Sequence, residues 1–191
     1  QEMSRGLGDV YKRQIFGSMP FKRYYFMWHL QMRQVFYGGL EHINSTTLWF
    51  PDMIMAQSGI EESASLVAHE YFHLWNIKRI RPKPLGPFDY TGPVRTRALW
   101  LSEGVTDYYS EVGCARGGIW SPNRYMQEIG THFNALRNSD AYGNEAVAEA
   151  SWAVFDRPMF GVGGPTLDYY NTGKILGLLL DIEIRVATKN K

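Results

Sequence analysis

A five-residue stretch of the sequence reads His69-Glu70-Tyr71-Phe72-His73. It lies within residues 61–76, where the apolar positions favour a helix. Residues four apart share one face of a helix, so the imidazoles of His69 and His73 lie about one turn apart. Two imidazoles at this spacing can bind one zinc ion, and Glu70 between them can reach a water on that zinc. Chance gives the pattern in roughly one chain in a hundred of this composition, so a third ligand is needed elsewhere in the sequence.

The next predicted helix offers that third ligand. A catalytic zinc usually has three protein ligands and one open position, and Glu103 is the candidate for the third. Asp107 follows one turn later on the same helix face, where it can accept a hydrogen bond from the far nitrogen of a ligating histidine. Without the histidine pair, Glu103 and Asp107 would be interpreted as two solvated acidic residues on a helix surface. The histidine pair favours ligation by Glu103 and the orienting role of Asp107.

The composition places the chain among globular proteins. Its 191 residues are 45% hydrophobic and 20% charged. The net charge of +1 argues against a nucleic-acid partner. The longest apolar run, residues 175–180, is too short to span a membrane. Cys114 is the single cysteine, which excludes an intrachain disulfide. The basic run at residues 78–83 is interrupted by Pro82 and followed by Pro84, and we interpret it as a solvated loop.

The order of the predicted elements indicates an α+β fold, because strand patterns come first and helix patterns follow. Alternating side chains and turn signals predict strands over residues 20–32, 40–44 and 46–55, with a break at Gly38 and Gly39. The last of these strands is closed either by Pro51 or by the turn at residues 57–59. Prolines and glycines predict a loop over residues 77–95, and residues 141–155 are ambiguous with helical character. The helices are predicted over residues 61–76, 97–112, 121–138 and 167–188. Ser121 and Pro122 suit the start of the third helix, and Gly173 and Gly177 occupy close-packing positions on the last.

Four blocks of the sequence resemble the glycyl aminopeptidase family. This family belongs to the gluzincins, thermolysin-like metallopeptidases whose zinc ligands are two histidines and one glutamate. The resemblance implies a thermolysin-like catalytic domain with His69, His73 and Glu103 on one Zn²⁺ ion and with Glu70 as the base. The blocks occur in the family's order: YGGLEH at residues 37–42, HEYFHLWNIKRIRP at 69–82, WLSEGVTDYY at 100–109 and YNTG at 170–173.

The resemblance also implies how a substrate would bind. The Gly-Gly-x-Glu segment of related enzymes is an edge strand whose glutamate binds the free α-amine, and this role maps onto Glu41. A carboxylate at a fixed distance from the metal forms a charge-assisted bond with an ammonium and places the first peptide bond at the zinc. Gly38 and Gly39 leave room for the substrate backbone. His42 is adjacent and can line the cleft.

The last block maps the oxyanion donor onto Tyr170, whose phenol would share the charge of the carbonyl oxygen with zinc. Related enzymes often carry lysine where this chain has Thr172, so Tyr169 stays open as the alternative donor. His29 and His132 have no motif around them, and we predict that both are structural or surface residues.

These observations predict a zinc-dependent aminopeptidase. Its substrates would be peptides with a free N-terminus, and the family name implies small first residues such as glycine or alanine. Two alternatives stay open: an endopeptidase on the same scaffold, and a non-catalytic, zinc-stabilised peptide-binding domain. Residues 1–14 resemble translated adaptor sequence and are expected to be non-native. Residues 15–191 are then expected to form the catalytic domain as a fragment, without the β-rich and PDZ-type domains that flank it in the family. The compartment is not determined.

Overall fold

The structure, a computed structural model, describes residues 17, 19–32, 37–58, 61–156 and 166–190. The predicted non-native segment, residues 1–14, lies outside this part of the chain. The chain divides into two compact units. Unit 1 comprises Gln1–Arg79 and Tyr109–Tyr125, and unit 2 comprises Ile80–Tyr108 and Met126–Lys191.

The strands all belong to unit 1 and precede the helices, so the predicted α+β fold is confirmed. The helices are α1 Asp52–Ser58, α2 Ala64–Phe72, α3 Val105–Arg116, α4 Pro122–Arg137, α5 Val147–Trp152 and α6 Tyr169–Thr188. A π-helical turn, Trp100–Gly104, comes directly before α3, and 3-10 turns cover Lys83–Leu85 and Ala153–Asp156. Among the described residues, no helix combines the length and the apolar character that crossing a membrane requires.

A three-stranded sheet forms one side of unit 1. Its strands are β1 Tyr25–Gln31, β2 Gly38–Glu41 and β3 Ser45–Pro51, in the spatial order β1-β3-β2. Strand β3 is parallel to β1 and antiparallel to β2. The central strand is accordingly the most buried, and β2, which carries Glu41, lies at an edge of this sheet.

Apolar side chains hold α2 in unit 1. Leu66 packs with Leu48 and Phe50 of the central strand. At the C-terminal end of the helix, a mainly aromatic group packs around the turn that follows α2. This group contains Tyr71, Leu74 and Trp75 together with Phe21, Tyr24 and Phe26. Burial of each such side chain is worth roughly 1.5–3 kcal/mol, so these contacts dominate the local stability and fix the position of α2.

Some of the predicted boundaries differ from those in the structure. Gly38 and Gly39 do not break a strand but begin β2, because both pair with the central strand. Of the two ends predicted for the third strand, the structure has the one at Pro51, because Asp52 starts α1 and its acidic side chain suits the positive end of the helix. The helix predicted over 61–76 is shorter, Ala64–Phe72, and the chain continues in turns.

The other helix predictions agree more closely with the structure. The Ser121 hydroxyl accepts a hydrogen bond from the Arg124 amide at 3.1 Å, as expected of a residue that caps α4. The loop predicted over 77–95 contains one 3-10 turn. In the ambiguous stretch, residues 141–145 lie in turns, and α5 and the 3-10 turn Ala153–Asp156 follow. Asp168 caps the start of α6, where its carboxylate accepts hydrogen bonds from the amides of Tyr170 at 2.8 Å and Asn171 at 3.3 Å.

Close packing of glycines defines the interior of unit 2. A methyl group on Gly173 of α6 would overlap the carbonyl oxygen of Trp100 and lie 3.0 Å from Cα of Gly104. A methyl group on Gly177 would lie 3.2 Å from Cβ of Tyr108. The predicted close-packing role of both glycines on α6 is therefore confirmed, and the backbone of α6 lies directly against the π-helical turn that carries Glu103.

Substitution of Gly173 tests this packing. Gly173→Ala should lower the free energy of unfolding by about 3 kcal/mol, because neither backbone segment can yield to the new methyl group. The melting temperature should fall by roughly 5–10 °C in a calorimetric scan. Gly130→Ala is the matched control: it changes a glycine of α4 whose added methyl group meets open space. Helix propensity predicts a gain of up to about 1 kcal/mol for this control. A harmless Gly173→Ala would contradict the packing described here.

Candidate functional site

Helix α2 brings two imidazoles together in unit 1. The Nε2 atoms of His69 and His73 are 2.9 Å apart, and the ring planes are nearly perpendicular, at 87°. His69, Glu70 and His73 are 7%, 5% and 3% exposed. His73 is the C-cap residue of α2, where the chain is still helical, so the four-residue spacing is kept.

The hydrogen bonding of His73 fits a metal ligand. Its Nδ1 lies 2.9 Å from the carbonyl oxygen of Asn76, which can only accept, so Nδ1 carries the proton and donates. The lone pair is then on Nε2, the atom that approaches His69. Tetrahedral zinc with bonds of about 2.0–2.1 Å to nitrogen separates two imidazole nitrogens by roughly 3.3 Å, close to the spacing seen here. The donor set on α2 therefore fits zinc, with the Asn76 carbonyl orienting one ring.

Two carboxylates join this histidine pair within unit 1. One side-chain ligand atom each of Glu41, Glu70 and His73 lies within 4.8 Å of the others. Strand β2 supplies Glu41, and the preceding Gly39 faces the helix so closely that a methyl group there would overlap the side chain of Glu70. A side chain at position 39 would thus force the side chain of Glu70 to move. The sequence had indicated only room for a substrate at this position.

Unit 1 also contributes two residues that the sequence interpretation missed. Lys78 forms an ion pair with Glu41, Nζ to Oε1 3.0 Å, and its side chain is 12% exposed. The interpretation of residues 78–83 as a solvated loop was therefore wrong for Lys78. The Tyr24 hydroxyl is buried without a hydrogen-bond partner among the described residues. Burial, followed by the negative charges of Glu70 and Glu41, raises the pKa of Tyr24 far above its ordinary value, so the phenol stays protonated.

Unit 2 carries the remaining predicted residues. Glu103 lies in the π-helical turn Trp100–Gly104, and Asp107 lies in the first turn of α3. An Asp107 carboxylate oxygen is 3.5 Å from Nζ of Lys174 on α6. Partial burial, then the charge of Glu103, raises the pKa of Tyr170 far above its ordinary value, and Asp107 acts in the same direction. Glu103, Asp107 and Tyr170 are therefore electrostatic neighbours within this unit.

The two candidate tyrosines differ in their surroundings. Tyr169 packs against the apolar cluster of Ala141, Ala150 and Leu167, whereas Tyr170 lines a cavity of about 330 Å³ in unit 2. Their ring centroids are 4.8 Å apart. The charge of Glu103 acts on Tyr170, which favours Tyr170 over Tyr169 as the residue of functional interest.

The other histidines occupy different settings. His132 lines the same cavity, and its Nε2 is 3.1 Å from Nζ of Lys174, a polar partner that no motif in the sequence had signalled. His29 lies on β1 and stacks on Trp49, with ring centroids 5.2 Å apart. His42 comes after β2, and its amide donates to the carbonyl of Ser45 at 2.8 Å.

Comparisons with known proteins relate the chain to a peptidase family and to a solved structure. The model of the M61 glycyl aminopeptidase family matches residues 62–176, which include both histidines of α2, Glu103 and Tyr170. The chain is similar to the crystal structure of an aminopeptidase N family protein from Idiomarina loihiensis, with a TM-score of 0.84 and 27% identity. The alignment covers 100% of this chain and 35% of that one, so the chain spans about a third of its length. No curated protein matches the chain.

Metal analysis tests the histidine pair. We expect one zinc ion per wild-type chain, and His73→Ala should reduce the zinc content several-fold after dialysis, because a single imidazole of α2 then remains. Elemental mass spectrometry on the purified protein measures the ratio. His29→Ala is the control, since His29 stacks on Trp49 in the sheet. Undiminished zinc in His73→Ala would exclude His73 as a ligand.

Proposed function

The chain belongs to the M61 glycyl aminopeptidase family, and on this basis we propose that it hydrolyses N-terminal peptide bonds with the help of zinc. The substrates are peptides with a free amino terminus. Small first residues such as glycine or alanine are proposed from the family description alone.

The arrangement of Glu41, Glu70 and His73 in unit 1 carries this proposal. Their ligand atoms lie within 4.8 Å of one another, with one carboxylate on the edge strand and the other on α2. A base alone would serve any peptide hydrolase. A second carboxylate so close to it provides a partner for a positive charge, and the α-ammonium of a peptide places such a charge next to the first peptide bond.

The proposed zinc ligands are His69, His73 and Glu103. The first two rest on the geometry of α2, and Glu103 rests on its motif and on the family resemblance. Zinc held by these residues would polarise the substrate carbonyl and would lower the pKa of water towards about 7. We propose that Asp107 orients a ligating histidine, in addition to its contact with Lys174.

Each remaining residue has a defined task in the proposed reaction. Glu70 accepts the proton of the attacking water and later donates it to the leaving amine. Tyr170 donates its hydroxyl hydrogen bond to the carbonyl oxygen as negative charge develops there. Its raised pKa keeps this hydroxyl protonated, as a donor must be. Glu41 binds the α-ammonium, and Gly38 and Gly39 leave space for the substrate backbone.

Replacement of the proposed base separates chemistry from metal binding. Glu70→Gln should reduce turnover of glycyl p-nitroanilide by about 10²–10⁴-fold, because the amide cannot accept the proton. Zinc content should stay at the wild-type value, since Glu70 is not a proposed ligand. Glu62→Gln is the control: this exposed glutamate contacts Arg124 at 3.1 Å.

The same assay decides between the proposed reaction and its alternatives. Full activity of Glu70→Gln would exclude the proposed mechanism. Equal turnover of the N-acetylated substrate by the wild type would identify an endopeptidase. Stoichiometric zinc without turnover of either substrate would identify a non-catalytic domain.

The oxyanion role is tested by a pair of adjacent substitutions. Tyr170→Phe removes only the hydroxyl and should lower kcat by about 10²-fold, with a smaller effect on KM. Tyr169→Phe should lower kcat less than Tyr170→Phe does, because its ring packs against the apolar cluster of unit 2 and its hydroxyl bonds to that of Tyr170. Steady-state kinetics on both variants give the answer. A larger loss in Tyr169→Phe would assign the role to that residue.

A further inference from the structure

The ammonium group of Lys78 lies beside the carboxylate of Glu41, the group that we propose binds the substrate amine. Its Nζ lies 3.0 Å from Oε1 of Glu41, and the two side chains are 12% and 19% exposed. A surface lysine would keep its ammonium in water. The enclosure of this side chain indicates that Lys78 has a fixed place beside Glu41.

A strained turn produces this placement. The residue before Lys78 is Ile77, which is 6% exposed and has φ of +140°. A β-branched residue rarely adopts positive φ, and such a conformation costs about 1–3 kcal/mol. It is held by two hydrogen bonds, from the Ile77 amide to the Trp75 carbonyl at 3.1 Å and from the Lys78 amide to the His73 carbonyl at 3.0 Å.

The same turn orients a proposed metal ligand. The carbonyl of Asn76, directly before Ile77, accepts the hydrogen bond from Nδ1 of His73. One strained residue therefore lies between the group that orients His73 and the side chain that contacts Glu41. Backbone strain of this kind persists where the surroundings enforce it and is concentrated at functional sites.

We propose that Lys78 is a positioning residue for the amine-binding carboxylate. This inference rests on the proposed function of Glu41. Lys78 occupies one acceptor position of Oε1 and fixes the rotamer of Glu41, while a carboxylate offers about four acceptor positions over its two oxygens. The substrate ammonium shares the carboxylate with Lys78 and does not displace it, because the enclosed lysine side chain cannot move freely into solvent. This positioning therefore favours the binding of substrates that have a free α-ammonium.

Lys78→Met tests the proposal. Without the ion pair, Glu41 loses its fixed orientation, and KM for glycyl p-nitroanilide should rise about tenfold while kcat changes less than threefold. Lys78→Arg keeps the charge and should hold KM within about threefold of the wild type. Lys83→Met is the matched control, because it makes the same substitution at an exposed position of the same basic run.

A double variant shows whether Lys78 acts through Glu41. Glu41→Gln should raise KM by itself, and adding Lys78→Met should raise it no further, since the positioned group is already gone. Each single substitution leaves one enclosed charge unpaired, whereas the double variant removes both charges. The KM of the double variant can therefore be compared with that of Glu41→Gln even if Lys78→Met fails to fold. Additive effects of the two substitutions would overturn the proposal.

Calorimetric binding of glycinamide and N-acetylglycinamide to the zinc-loaded proteins separates the possible failures. If the wild type does not prefer glycinamide, the proposed role of Glu41 fails and this inference fails with it. If the wild type prefers glycinamide and Lys78→Met binds it equally well, the inference alone is wrong. Tighter binding by Lys78→Met would also overturn it, because Lys78 would then compete with the substrate amine.

Discussion

The burial of three ionisable side chains on α2 is the constraint on which the rest of unit 1 depends. His69, Glu70 and His73 are all less than a tenth exposed. Burial of such groups costs several kcal/mol each unless hydrogen bonds, ion pairs or a metal compensate. The Asn76 carbonyl compensates His73 in part. The apolar contacts of Leu66 and of the aromatic group around Tyr71 supply the free energy that keeps the helix in place.

Close backbone approach, which only glycine permits, determines where the reactive groups of each unit lie. In unit 1, Gly39 allows the edge strand to contact Glu70, so the carboxylate two residues later falls within 4.8 Å of Glu70 and His73. In unit 2, Gly104 and Gly173 allow α6 to lie against the π-helical turn of Glu103. In each unit, glycines without a side chain thus determine where a nearby charged residue lies.

Features that depend on residue spacing could be predicted from the sequence. The four-residue separation of His69 and His73 indicated the imidazole pair, and the capping residue Ser121 indicated the start of α4. Contacts that depend on unusual backbone conformation could not be predicted. Lys78 approaches Glu41 directly after the positive φ of Ile77, which no periodicity signals. The π-helical turn before α3 likewise has no periodicity that announces it. Spacing alone likewise does not give the roles of Glu103 and Tyr170, which are assigned from the sequence motif and from the family resemblance.

The identity of residue 77 shows how strain and precision are related in this turn. Glycine would adopt φ of +140° at no steric cost, yet the position is occupied by a buried isoleucine. Burial of the isoleucine side chain stabilises the fold by about 1.5–3 kcal/mol, which is similar to the cost of the strained backbone. Glycine would also leave the turn free to adopt other conformations, and the Asn76 carbonyl and the Lys78 side chain would lose their fixed directions. The buried isoleucine keeps the turn in a single conformation because leaving it would expose the side chain. The burial of Ile77 therefore supports both the carbonyl that orients His73 and the lysine that pairs with Glu41.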